Sequence, residues 1–229
     1  MSEFVAYVKA HIIKDGTEEG AQGQLGACPF SHRVLLVLEE KGLPYQLEYI
    51  NLDKKPDWLN KVNPLGNVPI LQDKSTQAYI VDSDTISDYL ETKFGPGAEI
   101  ERTQLGTVAE CPQPGKNIWP SFWEFLSTGK GKEAFKAELK QINDAVGDSQ
   151  PFVGGQDPCA WDVALAPRLY LARVGCKILK QWDLGNDFPN VKSYLHRWTG
   201  RSSWRNTASW DDESIIEDFK HKLAKEQEK

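Results

Sequence analysis

The sequence predicts a two-part chain, an α/β domain over residues 1–95 followed by an all-helical domain over residues 96–229. Short apolar alternating runs and helical runs interleave as far as Gly95-Pro96-Gly97. After residue 98 no convincing alternating run appears. Helical periodicity repeats there instead, between Gly, Pro and Asp punctuation. A length of 229 residues suits one large domain or two modest ones, with ample chain for a core.

Residues 4–10 alternate as a short strand, with Phe4, Ala6 and Val8 on one face. The stretch from Lys14 to Gly26 is polar and carries four glycines, which reads as a long loop. Pro29 suits the first turn of a helix, where its missing N–H is not needed. That helix runs to Lys41 and stops at Gly42. Its middle, Val34 to Leu38, is wholly apolar, so it is expected to be buried on most sides. Tyr45–Ile50 reads as a half-buried strand, and Pro56-Asp57-Trp58-Leu59 opens a short helix that ends before Asn63-Pro64-Leu65-Gly66. Val68–Leu71 and Ala78–Val81 are two short strands joined by the polar turn 73–76. Asp82-Ser83-Asp84 supplies capping chemistry for a helix carrying Ile86, Tyr89 and Leu90. Beyond the linker, helices are expected around 118–127, 132–146, 160–175, 189–199 and 211–226. The last is rich in Lys and Glu and reads as a solvated helix.

Composition excludes several classes of function. The net charge is −6 and the sequence pI about 5.3, with no basic stripe to neutralise phosphates, so no nucleic-acid partner is expected. Four cysteines (28, 111, 159 and 176) show no C-x-x-C spacing and no Cys/His cluster, so neither a disulfide framework nor a metal site is expected. No apolar run approaches the ~18 residues a membrane span requires, and the first ten residues read as a strand rather than a leader. The expectation is a soluble protein of a reducing, cytoplasmic compartment with no stable membrane association.

Cys28 lies just upstream of the first apolar helix, where unpaired N–H groups and the helix dipole favour a thiolate over a thiol. Position alone leaves two readings open, a nucleophile and a small buried apolar residue. Val68-Pro69 is the one kind of bond at which a cis peptide is cheap. A cis bond at a strand start would present the Val68 backbone to an extended peptide ligand; the other reading is a trans edge-strand proline with no role. Asp82-Ser83-Asp84 reads either as a plain N-cap or as an anion site at a helix N-terminus.

The order and spacing of these three features resemble those of a glutathione-binding, thioredoxin-like domain. Cys28-Pro29-Phe30-Ser31, Lys54-Lys55-Pro56-Asp57-Trp58, Asn63 to Pro69 and Asp82-Ser83-Asp84 are similar to the motifs of cysteine-type glutathione transferases. More closely, they resemble the dehydroascorbate reductases of that superfamily. Tyr7-Val8-Lys9-Ala10 and the stretch from Asp162 to Tyr170 extend the likeness to roughly residues 4–210.

The resemblance implies reduction of dehydroascorbate to ascorbate at the expense of two glutathiones, with glutathione as co-substrate and no metal. Cys28 would be the nucleophile, passing through a mixed disulfide that a second glutathione resolves. Val68 and Pro69 would hold the cysteinyl part of glutathione, Asp82 and Ser83 its γ-glutamyl end and Lys55 its glycine carboxylate. Phe30 would flank the thiol, and Lys9 would stand at the mouth of the site and attract dehydroascorbate; for Lys9 and Lys55 the rival reading is a solvated surface lysine. Family members are usually monomers, which sets the expectation here. The chain departs from the pattern at Ala27, where the family carries Asp before the Cys, at the long Lys14–Gly26 loop, and at Leu171, where His is common. The departure at Ala27 removes a carboxylate from the thiol and weakens substrate placement. Asp162 is read as the cap of its own helix, with Cys159 in the place of the usual Ser or Thr. Cys111, Cys159 and Cys176 are read as structural. Two alternatives share the Cys-Pro-Phe start. One is an omega-like thioltransferase, which typically shows Glu-Ser where this chain has Asp82-Ser83. The other is a chloride intracellular channel-like protein, for which the five apolar residues 34–38 are too few to enter a bilayer.

Overall fold

The run Phe4–Lys9 (β1) is buried along nearly its whole length, which places it inside a sheet rather than at an edge. The computed structural model describes residues 3–11 and 23–227, so most of the predicted Lys14–Gly26 loop lies outside the described residues. β1 pairs in parallel with Tyr45–Ile50 (β2) and antiparallel with Ile70–Asp73 (β3), which in turn pairs antiparallel with Ala78–Val81 (β4). The sheet order is β2-β1-β3-β4, and Ala6 sits between Leu47 and Leu71 in register. The two-residue period of the strand separates the faces. Phe4, Ala6 and Val8 face the main core with Pro29–Glu40 (α1) and Ser83–Phe94 (α3). Tyr7 faces a smaller cluster of Ile50, Leu59, Val68 and Ile70, covered by Leu59–Val62 (α2).

The parallel β1–β2 pair requires a crossover, and α1 supplies it. Val34, Leu35, Leu36, Val37 and Leu38 are all buried because α1 has the sheet on one side and the helical half on the other. Each such side chain contributes roughly 1.5–3 kcal/mol when withdrawn from water. After α3 the described elements are all helical: Ile118–Thr128 (α4), Lys132–Ala145 (α5), Ala160–Leu179 (α6), Leu184–Asp187 (α7), Pro189–Thr199 (α8), Ser202–Thr207 (α9) and Asp212–Gln227 (α10). The expected arrangement, α/β first and all-α after it, is the one observed.

α6 is the axis of the helical half and packs on α1, α4, α8 and α10. Asp162 fixes its start as the sequence predicts. Its buried carboxylate accepts the N–H groups of Val153 (2.9 Å), Gly154 (2.9 Å) and Cys159 (3.0 Å) and the Tyr194 hydroxyl (2.9 Å). Two further ties lock α1 to the last third of the chain. Arg201 grips Glu40 with two charge-assisted bonds of 2.7 and 2.6 Å, and the fully buried His32 meets the Thr207 hydroxyl at 2.9 Å between Trp204 and Trp210. The remaining thiols behave structurally. Cys176 is buried, which pushes its thiol up to about 12. Burial raises Cys159 strongly too, with the Asp162 charge and a contact with Cys111 adding to it.

The structure departs from the sequence reading at four places. α2 begins at Leu59, three residues later than expected, after a turn through Pro56 and Trp58. β3 begins at Ile70 because Pro69 has no N–H for the ladder. The short helices α7 and α9 carry too little periodicity to be seen in advance. The fourth correction matters for function: α10 is not simply solvated. Ser214, Ile215, Ile216, Asp218 and Phe219 are buried, since one face of the helix packs on α6 and on the Phe122 and Trp123 rings of α4.

Candidate active site

Cys28 is the N-cap residue of α1. Its backbone is extended (φ −131°, ψ 107°), its carbonyl accepts the His32 N–H at 3.2 Å, and its Sγ accepts the Ser31 N–H at 3.4 Å. The sulfur therefore occupies the place that a Ser or Asp oxygen takes in an ordinary cap, at the positive end of the helix. Pro29 in the first turn removes one competing donor. The residue is partly exposed, so the thiol is reachable. Cys28 is thus not a fully buried residue.

Two residues after Cys28, Phe30 lines a cleft of about 250 Å³ with Val68, Pro69, Asp82 and Ser83, together with Asn63 and Asn67 from the preceding loop. Five of the six residues expected to hold glutathione thus come together on one surface. The Val68–Pro69 bond is cis, as the sequence allowed. Asp82 caps α3, accepting the N–H groups of Asp84 (2.9 Å) and Thr85 (3.2 Å), with its own φ at +72°. A non-glycine residue in that region is a backbone held by its surroundings. The sixth residue, Lys55, is exposed outside the cleft wall, and a Cβ added to Gly66 would lie 2.9 Å from its Nζ. Its ammonium thus borders the 63–67 loop. A larger cavity of about 650 Å³, bounded by Tyr49 and Trp58 at β2, contains none of these residues.

Behind the cleft stand two guanidinium groups that sequence reading missed. Arg33 is buried, pairs with Asp84 and donates to Ser83 Oγ at 3.4 Å; Arg168 packs its guanidinium over the Phe30 and Trp161 rings. Burial pushes Arg168 down to about 10, helped by the neighbouring Arg33 and opposed by Asp84 and Asp82. The Arg33 Nε and Nη2 and the Arg168 Nη1 are buried without a hydrogen-bond partner among the described residues. Two cations with spare donors beside an α3 N-terminus favour an anionic ligand group at this end.

A different picture holds on the other side of Cys28. Lys9, expected at the mouth of the site, has its ammonium 2.8 Å from Asp218 Oδ2 and its side chain 16% exposed. The same oxygen accepts the Ala27 N–H at 2.6 Å, while Asp218 Oδ1 meets His11 Nδ1 at 3.1 Å. The Lys9 N–H donates to Ser31 Oγ at 3.1 Å and the Lys9 carbonyl accepts the Gly26 N–H at 2.8 Å, so β1 and the cysteine loop are stitched together. Ala27 therefore has a carboxylate against it after all, delivered from α10. One turn later on α10, Lys222 lies within electrostatic reach of Cys28 and Lys9, its Nζ 3.6 Å from the Trp123 ring centroid. The clue that sequence reading passed over is the apolar triplet Ile215, Ile216 and Phe219, whose helical spacing marks a buried face on which Asp218 also falls.

Among known proteins, residues 27–93 match the family model described as "Glutathione S-transferase, N-terminal domain". The chain is 34% identical to the chloroplastic glutathione S-transferase DHAR3 of Arabidopsis thaliana, over 87% of this chain and 76% of that one. It is 35% identical to a probable cytosolic glutathione S-transferase DHAR1 of Oryza sativa, over 82% of this chain and 87% of that one. The chain is a glutathione S-transferase of the DHAR group. A crystal structure of Chlamydomonas reinhardtii dehydroascorbate reductase superposes with a TM-score of 0.79 at 30% identity, covering 95% of this chain and 97% of the other. The glutathione transferase fold thus extends over both halves.

Proposed function

We propose that the protein reduces dehydroascorbate to ascorbate with glutathione as the electron donor, through Cys28. The observation that carries this reading is the thiol at the α1 N-cap, two residues before Phe30 of a cleft whose other walls are the cis Val68–Pro69 unit and the α3 N-terminus. Residues 1–95 act as the glutathione-binding unit and 96–229 as the helical unit against which it closes. The Val68 backbone takes the cysteinyl part of glutathione. Asp82 and Ser83 take the ammonium and carboxylate of the γ-glutamyl end, with Arg33 and Arg168 supplying positive charge from behind. Lys55 takes the glycine carboxylate and Lys9 faces dehydroascorbate.

In the reaction two thiols give up two electrons and two protons to dehydroascorbate. As ascorbate forms, the Cys28 sulfur and the first glutathione sulfur are left joined in a mixed disulfide. A second glutathione thiolate attacks that disulfide at the glutathione sulfur, releasing oxidised glutathione and the Cys28 thiolate. The Ser31 N–H, at the positive end of α1, donates to the Cys28 sulfur. The Asp82-Ser83 pair supports this reading over an omega-like thioltransferase. Among the described residues no helix is long and apolar enough to cross a membrane. We take the working form to be a cytoplasmic monomer.

The test is steady-state formation of ascorbate from dehydroascorbate and glutathione, followed by ultraviolet absorbance. Wild-type protein is expected to exceed the uncatalysed rate, and Cys28→Ala is expected to fall to background. A wild-type rate no greater than background overturns the reading. Mass spectrometry of protein treated with oxidised glutathione should find one glutathionyl group, on Cys28.

A further inference from the structure

The Asp218 side chain is withdrawn from solvent, and its carboxylate reaches Lys9, His11 and the Ala27 N–H on the thiol's side of the molecule. Oδ2 holds the Lys9 ammonium at 2.8 Å and the Ala27 N–H at 2.6 Å, and Oδ1 meets His11 Nδ1 at 3.1 Å. Such a buried charge is costly unless fully partnered, so it must return its cost as a fixed geometry. Lys9 ends β1, His11 follows it two residues on, and Ala27 immediately precedes Cys28. A Cβ added to Gly26 would come within 2.9 Å of the same oxygen, so the carboxylate fills the space under the loop. Its own helix is in turn held from outside the site. His221 meets Asp53 at 2.7 Å, Lys225 pairs with the same carboxylate, and Trp123 Nε1 donates to Glu226 at 3.1 Å.

We propose that Asp218 is a positioning residue of the reaction, locking the Lys9 ammonium and the peptide N–H before Cys28 into one rigid unit. The helical half, through α10, then sets the distance between the cation that faces the substrate and the attacking sulfur. Asp218 acts through Lys9 and Ala27. This rests on the dehydroascorbate reading above.

The experiment compares full-length wild type with Asp218→Asn, in which an amide oxygen can still accept the Ala27 N–H while the charge facing Lys9 is lost. Losing one charge-assisted bond corresponds to about tenfold or more in rate constants that depend on it. The expected result is a fall of about that size in kcat/KM for dehydroascorbate, carried by its KM, with the KM for glutathione unchanged. Alkylation of Cys28 by iodoacetamide should keep its wild-type rate in Asp218→Asn and change in Asp218→Ala, which also frees the Ala27 N–H. Lys9→Met removes the less buried half of the pair and should reproduce the KM defect, and the double variant Lys9→Met/Asp218→Asn should lose no more than either alone. If Asp218→Asn does not fold, Lys9→Met still decides: an unchanged dehydroascorbate KM there overturns the proposal. A folded Asp218→Asn protein with wild-type constants, or one whose loss lies in kcat and glutathione KM alike, overturns it as well. If wild type forms no ascorbate, the functional reading fails by itself. The Cys28 alkylation contrast between Asn and Ala at 218 then decides the positioning role, and equal rates in the two overturn it.

Discussion

Removing the Asp162 carboxylate tests whether the helical half is organised as described. Asp162→Ala leaves the N–H groups of Val153, Gly154 and Cys159 and the hydroxyl of Tyr194 without their shared acceptor; Val153 and Tyr194 are buried, Cys159 is partly exposed and Gly154 is exposed. A hydrogen bond to a charged group contributes about 1.5–3 kcal/mol, and each stranded buried donor costs about 1–3 kcal/mol. The four act as one network, so simple addition overshoots; a loss of about 4–5 kcal/mol, the top of the range for single substitutions, is the working figure. That is a large share of the roughly 5–15 kcal/mol a native protein has in hand. With a urea slope of about 3 kcal/mol/M, the midpoint should fall by about 1.5 M. Asp162→Asn should rescue little of this, because all four partners are donors and an amide turns an NH₂ toward some of them. Tyr194→Phe removes only one partner and should cost about 1–1.5 kcal/mol. Urea unfolding followed by tryptophan fluorescence and circular dichroism measures all three. A midpoint shift for Asp162→Ala no larger than that for Tyr194→Phe refutes the account.

His32 gives a pH-dependent expectation. Burial between Trp204 and Trp210 lowers its pKa to about 3, against about 6.5 in an unfolded chain. Below pH ~6.5 the unfolded state takes up the proton first, so stability is full above that pH and declines as pH falls toward 3, at about 1.4 kcal/mol per pH unit. By pH 5 this amounts to about 2 kcal/mol, and urea midpoints of His32→Gln should lack that part of the slope; identical slopes in the two proteins would contradict it. Ala27→Asp, which introduces the residue common in the family, should lower kcat/KM for dehydroascorbate by about threefold or more, because the new carboxylate lands beside Asp218. A rate increase in the ascorbate assay would show that the two positions do not compete.

Legibility in the sequence followed locality. β1, β2, β4, α1, α3 and α5 lie where period and capping residues place them, because each is decided within a dozen residues. Cys28, Val68-Pro69 and Asp82-Ser83 were visible as separate local signals, and family resemblance joined them before any geometry did. What escaped were residues whose role depends on partners far along the chain. Arg33 reads as an ordinary polar residue of an amphipathic helix until Ser83 and Arg168 close over it. Asp218 stands in a Lys/Glu-rich stretch, and the bond that gives it a role spans 209 positions to Lys9. Lys9 itself was seen, but not its ion pair, since the partner Asp218 comes from the other half of the chain. The apparent loss of an acidic neighbour at Ala27 is a case of the same kind: the charge sits in another helix.

That long-range bond bears on the order in which the protein matures. The Cys28 cap is short-range, since Ser31 is three residues away, and it can form as soon as α1 does. The bonds from Ala27 and Lys9 to Asp218 close loops of 191 and 209 positions, among the most entropically expensive closures available to this chain. The thiol's cap is thus a matter local to α1, while the placing of Lys9 and Ala27 waits on the docking of α10.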